Sequence, residues 1–238
     1  MIEPGVYQVH YRAATLRECW RIAGPGLFHV SLAWKLLGQR GQYLWLPPSE
    51  AAVPCGADTL SQDARAHLAP VVEQLQRLGY TRGLFIRHAR NLNPNARDAG
   101  AYQALHDDGM RVFSAAFVHM VCDPAPALKT VALSGLLIAE DLSGTLVLDH
   151  RYYLDNGLWS RVIRLKPVGL EGIHARIQQE LQAARGPLRR FATLDELRAA
   201  IDERSDRWYE RLIQRGLCRK VPADEEREVL ARFGLGKV

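Results

Sequence analysis

Between Gly83 and Leu165 the chain reads as β-type runs, and the four successive runs from Ala101 to Tyr153 are joined by turns too short to hold a helix. Parallel neighbours need a crossover of a dozen or more residues, whereas antiparallel ones need only a hairpin. This segment therefore specifies an antiparallel meander. Its runs are Gly83–Ile86, Ala101–His106, Arg111–Val121, Thr130–Ala139, Thr145–Tyr153 and Ser160–Leu165, with a tight turn at Asp107-Asp108-Gly109 and another over Glu140–Gly144. Arg111–Val121 is apolar on both alternating faces, which makes it a central strand. Val6–Arg12 alternates in the same way and adds a further strand.

Helical periodicity brackets this region. Thr15-Leu-Arg-Glu18 is a capping box that opens a helix, and Gly24-Pro25-Gly26 breaks it before a second helix over Leu27–Leu37. Pro47 to about Ser61 reads as extended chain and loop. Ser61–Leu78 keeps Ala64, Leu68, Val71, Val72, Leu75 and Leu78 on one side, with Pro70 marking a kink or a second start. Leu170–Ala184 is amphipathic, and Thr193-Leu-Asp-Glu196 opens a helix that ends near Gly216. In that last helix Leu194, Leu197, Ile201, Trp208 and Leu212 form the core stripe, and Arg204, Asp206, Arg207 and Glu210 cover the other side. The expected fold is α+β: an antiparallel meander sheet of five to seven strands with amphipathic helices packed on one face. The expected organisation is an N-terminal strand and helices over 1–55, acting as a cap, an α+β core over 56–220, and a charged tail over 221–238 with a short helix at Ala223–Phe233.

Composition excludes several classes. With 47% hydrophobic and 24% charged residues in 238, the chain is neither disordered nor a disulfide scaffold. The longest uncharged runs, Ile22–Trp34, Val112–Cys122 and Thr130–Ala139, fall short of the roughly 20 apolar residues of a membrane span. Glu3 and Pro4 stand where a signal peptide places a basic segment. A cytoplasmic protein without a membrane partner is the expectation. Cys19, Cys55, Cys122 and Cys218 form no C-x-x-C pair, so zinc-ribbon and thioredoxin-type chemistry are not encoded locally. Cys122 is expected to be buried and Cys218 exposed.

Three sets of side chains are candidates for function. His106, His119 and His150 lie on or beside strands, with Asp107, Asp108 and Asp149 at hand, so a meander that gathered them would resemble a His/Asp metal-dependent hydrolase site. The bland alternative is hairpin turns and half-buried histidines. A net charge of +5 with basic stretches at 82–97 and 185–190 points to phosphate contacts through Arg87, Arg90, Arg97 and Arg151, the last beside Tyr152 and Tyr153. The final long helix offers Arg207 and Glu210 to a protein partner or a second copy. No nucleophile elbow, phosphate loop, dinucleotide motif or cofactor signature is present. A non-catalytic binding or assembly protein acting through a protein partner is the leading expectation, with a nucleic-acid-associated protein or the hydrolase as alternatives.

Overall fold

The computed structural model describes residues 2–46, 52–88, 96–120, 127–149 and 160–232. Seven strands form one sheet in chain order: β3 (Ala52–Cys55), β4 (Arg82–His88), β5 (Ala96–Leu105), β6 (Arg111–Met120), β7 (Leu128–Ile138), β8 (Gly144–Leu148) and β9 (Ser160–Arg164). The first five pairings are antiparallel, and β6 sits at the centre, as its two apolar faces require. The meander ends at β8, because β9 pairs with it in parallel, Gly144 opposite Ser160 and Leu148 opposite Arg164. β3 falls within the stretch expected to be loop; Pro54 is tolerated there because β3 is an edge strand.

Helices α2 (Gln62–Arg77) and α3 (Gly169–Ala183) lie on one face of this sheet. Leu68 and Leu75 of α2 and Ile173 and Ile177 of α3 share a core with Phe113, Ala115 and Phe117 of β6. Gly135 lets α3 approach closely, since a Cβ there would sit 1.6 Å from Ile177 Cδ1. Pro70 does not divide α2. It lies on the exposed side, and the carbonyl of Ala66 that loses its partner is on that side too, open to water.

A second, three-stranded sheet joins the chain's two ends in the order β10-β1-β2: β1 (Gly5–His10), β2 (Arg40–Leu46) and β10 (Cys218–Lys220). Cys218 is 1% exposed within it, correcting the expectation of an exposed thiol; burial pushes that thiol up to about 12. The charged tail is not free either. α5 (Ala223–Arg232) returns to β1, packing Val229 beside Val6 and Val221.

α4 (Leu194–Gln214) connects the two sheets. Its first half places Leu197 and Ala200 against Leu105, Val112 and Ile138, side chains that alternate away from α2 and α3 onto the opposite face of the large sheet. Its second half places Leu212 against Tyr7, Val9 and Leu217 of the small sheet's core. Trp208 packs on both clusters. Arg204 belongs to this buried side and not to the solvent face expected of it. It is 7% exposed, donating from Nη1 to the Leu142 carbonyl (2.6 Å) and from Nη2 to Ser160 Oγ (2.7 Å).

α1 (Leu16–Leu36) carries the expected capping box, with Thr15 Oγ1 accepting from the Glu18 amide and Glu18 Oε2 from the Thr15 amide. A straight helix of this length would extend about 30 Å. Yet Ser31 Oγ donates to the Cys19 carbonyl at 2.9 Å, and Lys35 Nζ donates to the carbonyls of Arg12 and Ala14. The chain therefore reverses between Cys19 and Ser31, around Gly24-Pro25-Gly26, and α1 is a helical hairpin. Glu18 also holds it to the end of α4: Arg215 Nη1 and Nη2 donate to Oε1 and Oε2 at 2.8 and 2.6 Å.

Two substitutions test this architecture by urea unfolding. Gly135→Ala forces α3 away from β7 and is expected to cost about 1–3 kcal/mol. Arg215→Ala leaves the buried Glu18 carboxylate without its guanidinium and is expected to cost about 2 kcal/mol. Arg207→Ala, which removes an exposed pair with Glu203, should change stability by less than about 1 kcal/mol.

Candidate functional site

The meander disperses the candidate histidines. His106 follows β5 at the turn into β6, where its amide donates to the Arg111 carbonyl, whereas His119 pairs with Asp98 and Lys129 at the other end of β6. His150 lies outside the described residues. A hydrolase centre drawing on both His106 and His119 has no geometric support, and among the described residues no group of three His, Cys, Asp or Glu side chains is placed to hold a metal ion.

Each histidine instead has local company. The Asp107-Asp108-Gly109 turn forms as expected, with the Gly109 amide donating to the His106 carbonyl at 2.8 Å and Gly109 at φ 72°. Asp108 is its organiser: Oδ1 accepts from the amides of Met110 and Arg111, and Oδ2 from Arg111 Nε at 2.6 Å. Those bonds outweigh burial and hold the Asp108 carboxyl below its usual range. His106 Nδ1 accepts from the Asp108 amide at 3.1 Å, and its ring stands 5.1 Å from that of Tyr80. The sequence reading missed His174 on α3, whose ring lies 5.7 Å from that of Tyr80 and 6.3 Å from that of His106. Periodicity marks only the apolar stripe of α3 and gives no sign of a histidine beside it. Burial lowers both histidines, and the nearby Arg111 lowers them further. Tyr80 is fully buried and its phenol is pushed well above the usual range by that burial. The cluster gathers two half-buried histidines around a buried, protonated tyrosine at one end of the core.

At the opposite end, Asp63 at the start of α2 pairs with Lys129 Nζ at 2.7 Å and lies 3.9 Å from His119 Nδ1. The neighbouring His67 stacks on Phe117, with ring centroids 4.9 Å apart. These are exposed and half-buried contacts that fasten α2 to the sheet.

Of the basic stretches, the described guanidinium groups of Arg82 and Arg189 are engaged within the fold. Arg82 donates to the carbonyls of Ala192 and His106, and Arg189 sits over the Phe191 ring. Arg87 and Arg97 belong to β4 and β5, paired in the sheet by their backbones. Their side chains, with Arg90 and Arg151, lie outside the described residues. A cleft of about 500 Å³ opens between β8, β9 and the end of α3, lined by Thr145, Arg161, Glu180, Arg185 and Leu188 among others. Glu180 is buried there and already holds Arg161 (2.6 Å) and Arg176 (2.7 Å), so the charges in its wall are largely answered.

On α4, Arg207 is exposed but engaged with Glu203 (2.6 Å) and with the Asp141 carbonyl, and Glu210 is half-buried. The apolar stripe of this helix is consumed by the two cores. The unsatisfied apolar surface lies elsewhere, on the α1 hairpin: Leu16, Trp20, Val30, Trp34, Leu36 and Leu37 are all more than two-fifths exposed, the last two about three-quarters. Trp20 stacks edge-on against Phe28 across the two arms (5.1 Å), and Trp34 rests on Tyr11 (5.4 Å). Sequence reading gave two helices broken at Gly24-Pro25-Gly26 and an uncharged run too short to span a bilayer, but not the exposed apolar surface, and no helix of the described residues is long and apolar enough to cross.

No family model, curated protein or solved structure matches the chain. The side chains themselves are the guide to function.

The histidines give a pH test. His10, His106 and His174 are all lowered, mainly by burial, so the unfolded chain binds more protons than the folded one as pH falls below about 6.5. Their contribution is therefore present at neutral pH and lost on acidification from about 6.5 down through the folded values. Urea unfolding is expected to give lower stability at pH 5.5 than at pH 7.5, with a smaller difference in His174→Gln. The lowered carboxylates Glu18 and Asp108 act in a different window: their contribution is lost as pH falls from about 4.5 down through the folded values.

Proposed function

We propose that this chain is a non-catalytic binding or assembly protein whose contact element is the α1 hairpin. The observation that carries this reading is the concentration of exposed large apolar side chains on one helical element. Such clusters on a folded chain mark interaction sites. α4 is the weaker choice, because its apolar stripe is used internally and Arg207 is paired within its own helix. The hydrolase reading is the weaker one, since His106 and His119, two of its histidines, are at opposite ends of β6.

Site-specific photocrosslinking in the source cell compares the two surfaces. A photoreactive amino acid replacing Leu37 is expected to capture a discrete adduct, protein or lipid, identified by mass spectrometry. The same group replacing Arg207 is expected to capture none. Adducts from position 207 alone would transfer the contact to α4, and no adduct from either position would remove the binding reading.

A further inference from the structure

The assignment of α1 as the contact element leaves its partner open, and the chemistry of the hairpin narrows it. We propose that the hairpin is an interfacial lipid-binding element that enters one leaflet of an anionic bilayer. This rests on the reading of α1 as the contact element and adds what it contacts.

The distribution of apolar groups is the first argument. On the second arm Phe28 turns toward Trp20 of the first arm. Trp34 lies about 120° further round that helix, with Val30 and Leu37 within roughly 60° of it. The exposed apolar side chains therefore occupy more than one side of the hairpin, along with Leu16 and Trp20 on the first arm. A protein partner docking on one side would leave the other apolar side in water. A bilayer surface receives both sides at once, with Trp20 and Val30 along the arms and Leu16, Leu36 and Leu37 at the interface beside the root.

Polarity along the hairpin agrees. Ile22–Trp34 contains no Asp, Glu, Lys or Arg, and among the described side chains from Phe28 to Trp34 only His29 is ionisable. Ser31, packed between the arms, spends its hydroxyl on the carbonyls of Cys19 and Phe28 (2.9 and 3.0 Å), so it does not need water. Each arm is about ten residues, about 15 Å long. That is about half of a hydrocarbon core of roughly 30 Å. The hairpin is long enough to enter one leaflet and too short to cross, so the expectation of no membrane partner, drawn from span length, addresses crossing and leaves surface insertion open.

The charge at its base is complementary to anionic lipid. From Tyr11 to Arg40 the chain has five basic residues, Arg12, Arg17, Arg21, Lys35 and Arg40, against one acidic residue, Glu18; Arg21 stands part-way along the first arm and is not counted at the base. Glu18 is 4% exposed and engaged by Arg215, so it presents no negative charge outward. Arg12 and Arg17 are exposed beside the root of the first arm, and Lys35 is tied to the Arg12 and Ala14 carbonyls at the root of the second. Arg40 faces Glu225 at 3.7 Å and is not counted toward the lipid. Basic groups around aromatic and aliphatic ones are the combination that holds a monotopic segment in an anionic interface, with tryptophan at headgroup level.

Vesicle co-sedimentation of the full chain tests this, using phosphatidylcholine alone and a 7:3 mixture of phosphatidylcholine and phosphatidylserine. Binding to the mixed vesicles is expected to be at least tenfold tighter than to phosphatidylcholine. It should weaken as salt is raised and be accompanied by a blue shift of tryptophan emission. Trp20→Glu/Trp34→Glu, checked for an unchanged Tm, is expected to lose binding at least tenfold. Arg12→Ala/Arg17→Ala should lose the preference for phosphatidylserine. If no binding occurs at millimolar lipid, or the folded tryptophan variant binds as the wild type does, the lipid proposal is overturned. A protein adduct from position 37 with no vesicle binding would overturn the lipid partner while leaving the hairpin as the contact element. No adduct and no vesicle binding would remove both.

Discussion

The whole arrangement depends on α4 being buried on two sides at once. One end of the helix covers the turn end of the large sheet, the other supplies the core of the small one, and Trp208 belongs to both. At its last turn Arg215 forms a two-pronged pair with Glu18, the same carboxylate that closes the capping box of α1. A paired guanidinium and carboxylate fix orientation as well as distance. The root of the hairpin is thus fastened at an angle set by α4, which is in turn fixed to the seven-stranded sheet. Loosening this one junction would free the small sheet, the hairpin and α5 together.

That junction also shows where sequence reading succeeds and where it stops. The capping box at Thr15–Glu18 was legible because its bonds run between residues three apart. The partnership of Glu18 with Arg215 spans nearly the whole chain, and no local pattern encodes it. The same contrast runs through the sheet. β5, β6 and β7 were legible because hairpin turns make neighbours in sequence neighbours in space. The parallel return of β9 and the union of β1 with β10 depend on long-range closure, so they were not. Arg204 was assigned to solvent because a charged residue normally belongs there. Its place beneath the 139–143 turn reflects two specific acceptors, the Leu142 carbonyl and Ser160 Oγ, that come from distant positions.

Candidate sites suffered most from this limit. A set of histidines on successive antiparallel strands looks convergent on paper, yet a strand of ten residues separates its ends by about 30 Å. Whether two such residues meet depends on which end each occupies, and His106 and His119 occupy opposite ends of β6. His174, by contrast, arrives beside His106 from a helix some seventy residues later because α3 packs on the face that holds Tyr80. Basic stretches are subject to the same geometry. Arginines close together on a strand diverge to different faces, and Arg82 is spent on backbone carbonyls.

The hairpin was legible in part: Gly24-Pro25-Gly26 and the uncharged run were visible, but their combined meaning was not. Length alone argues against a transmembrane helix, and that argument is sound. It says nothing about a reversed helix pair, in which the same residues are folded to half the reach. The reversal converts a run too short to cross into two arms of leaflet depth, while the anchoring of Glu18 removes the one acidic charge that would oppose an anionic surface. The two features are physically linked. Without Arg215 the Glu18 carboxylate would carry its charge uncompensated at the root of the hairpin, so the contact that organises the fold is also the one that leaves this element uniformly basic toward its surroundings.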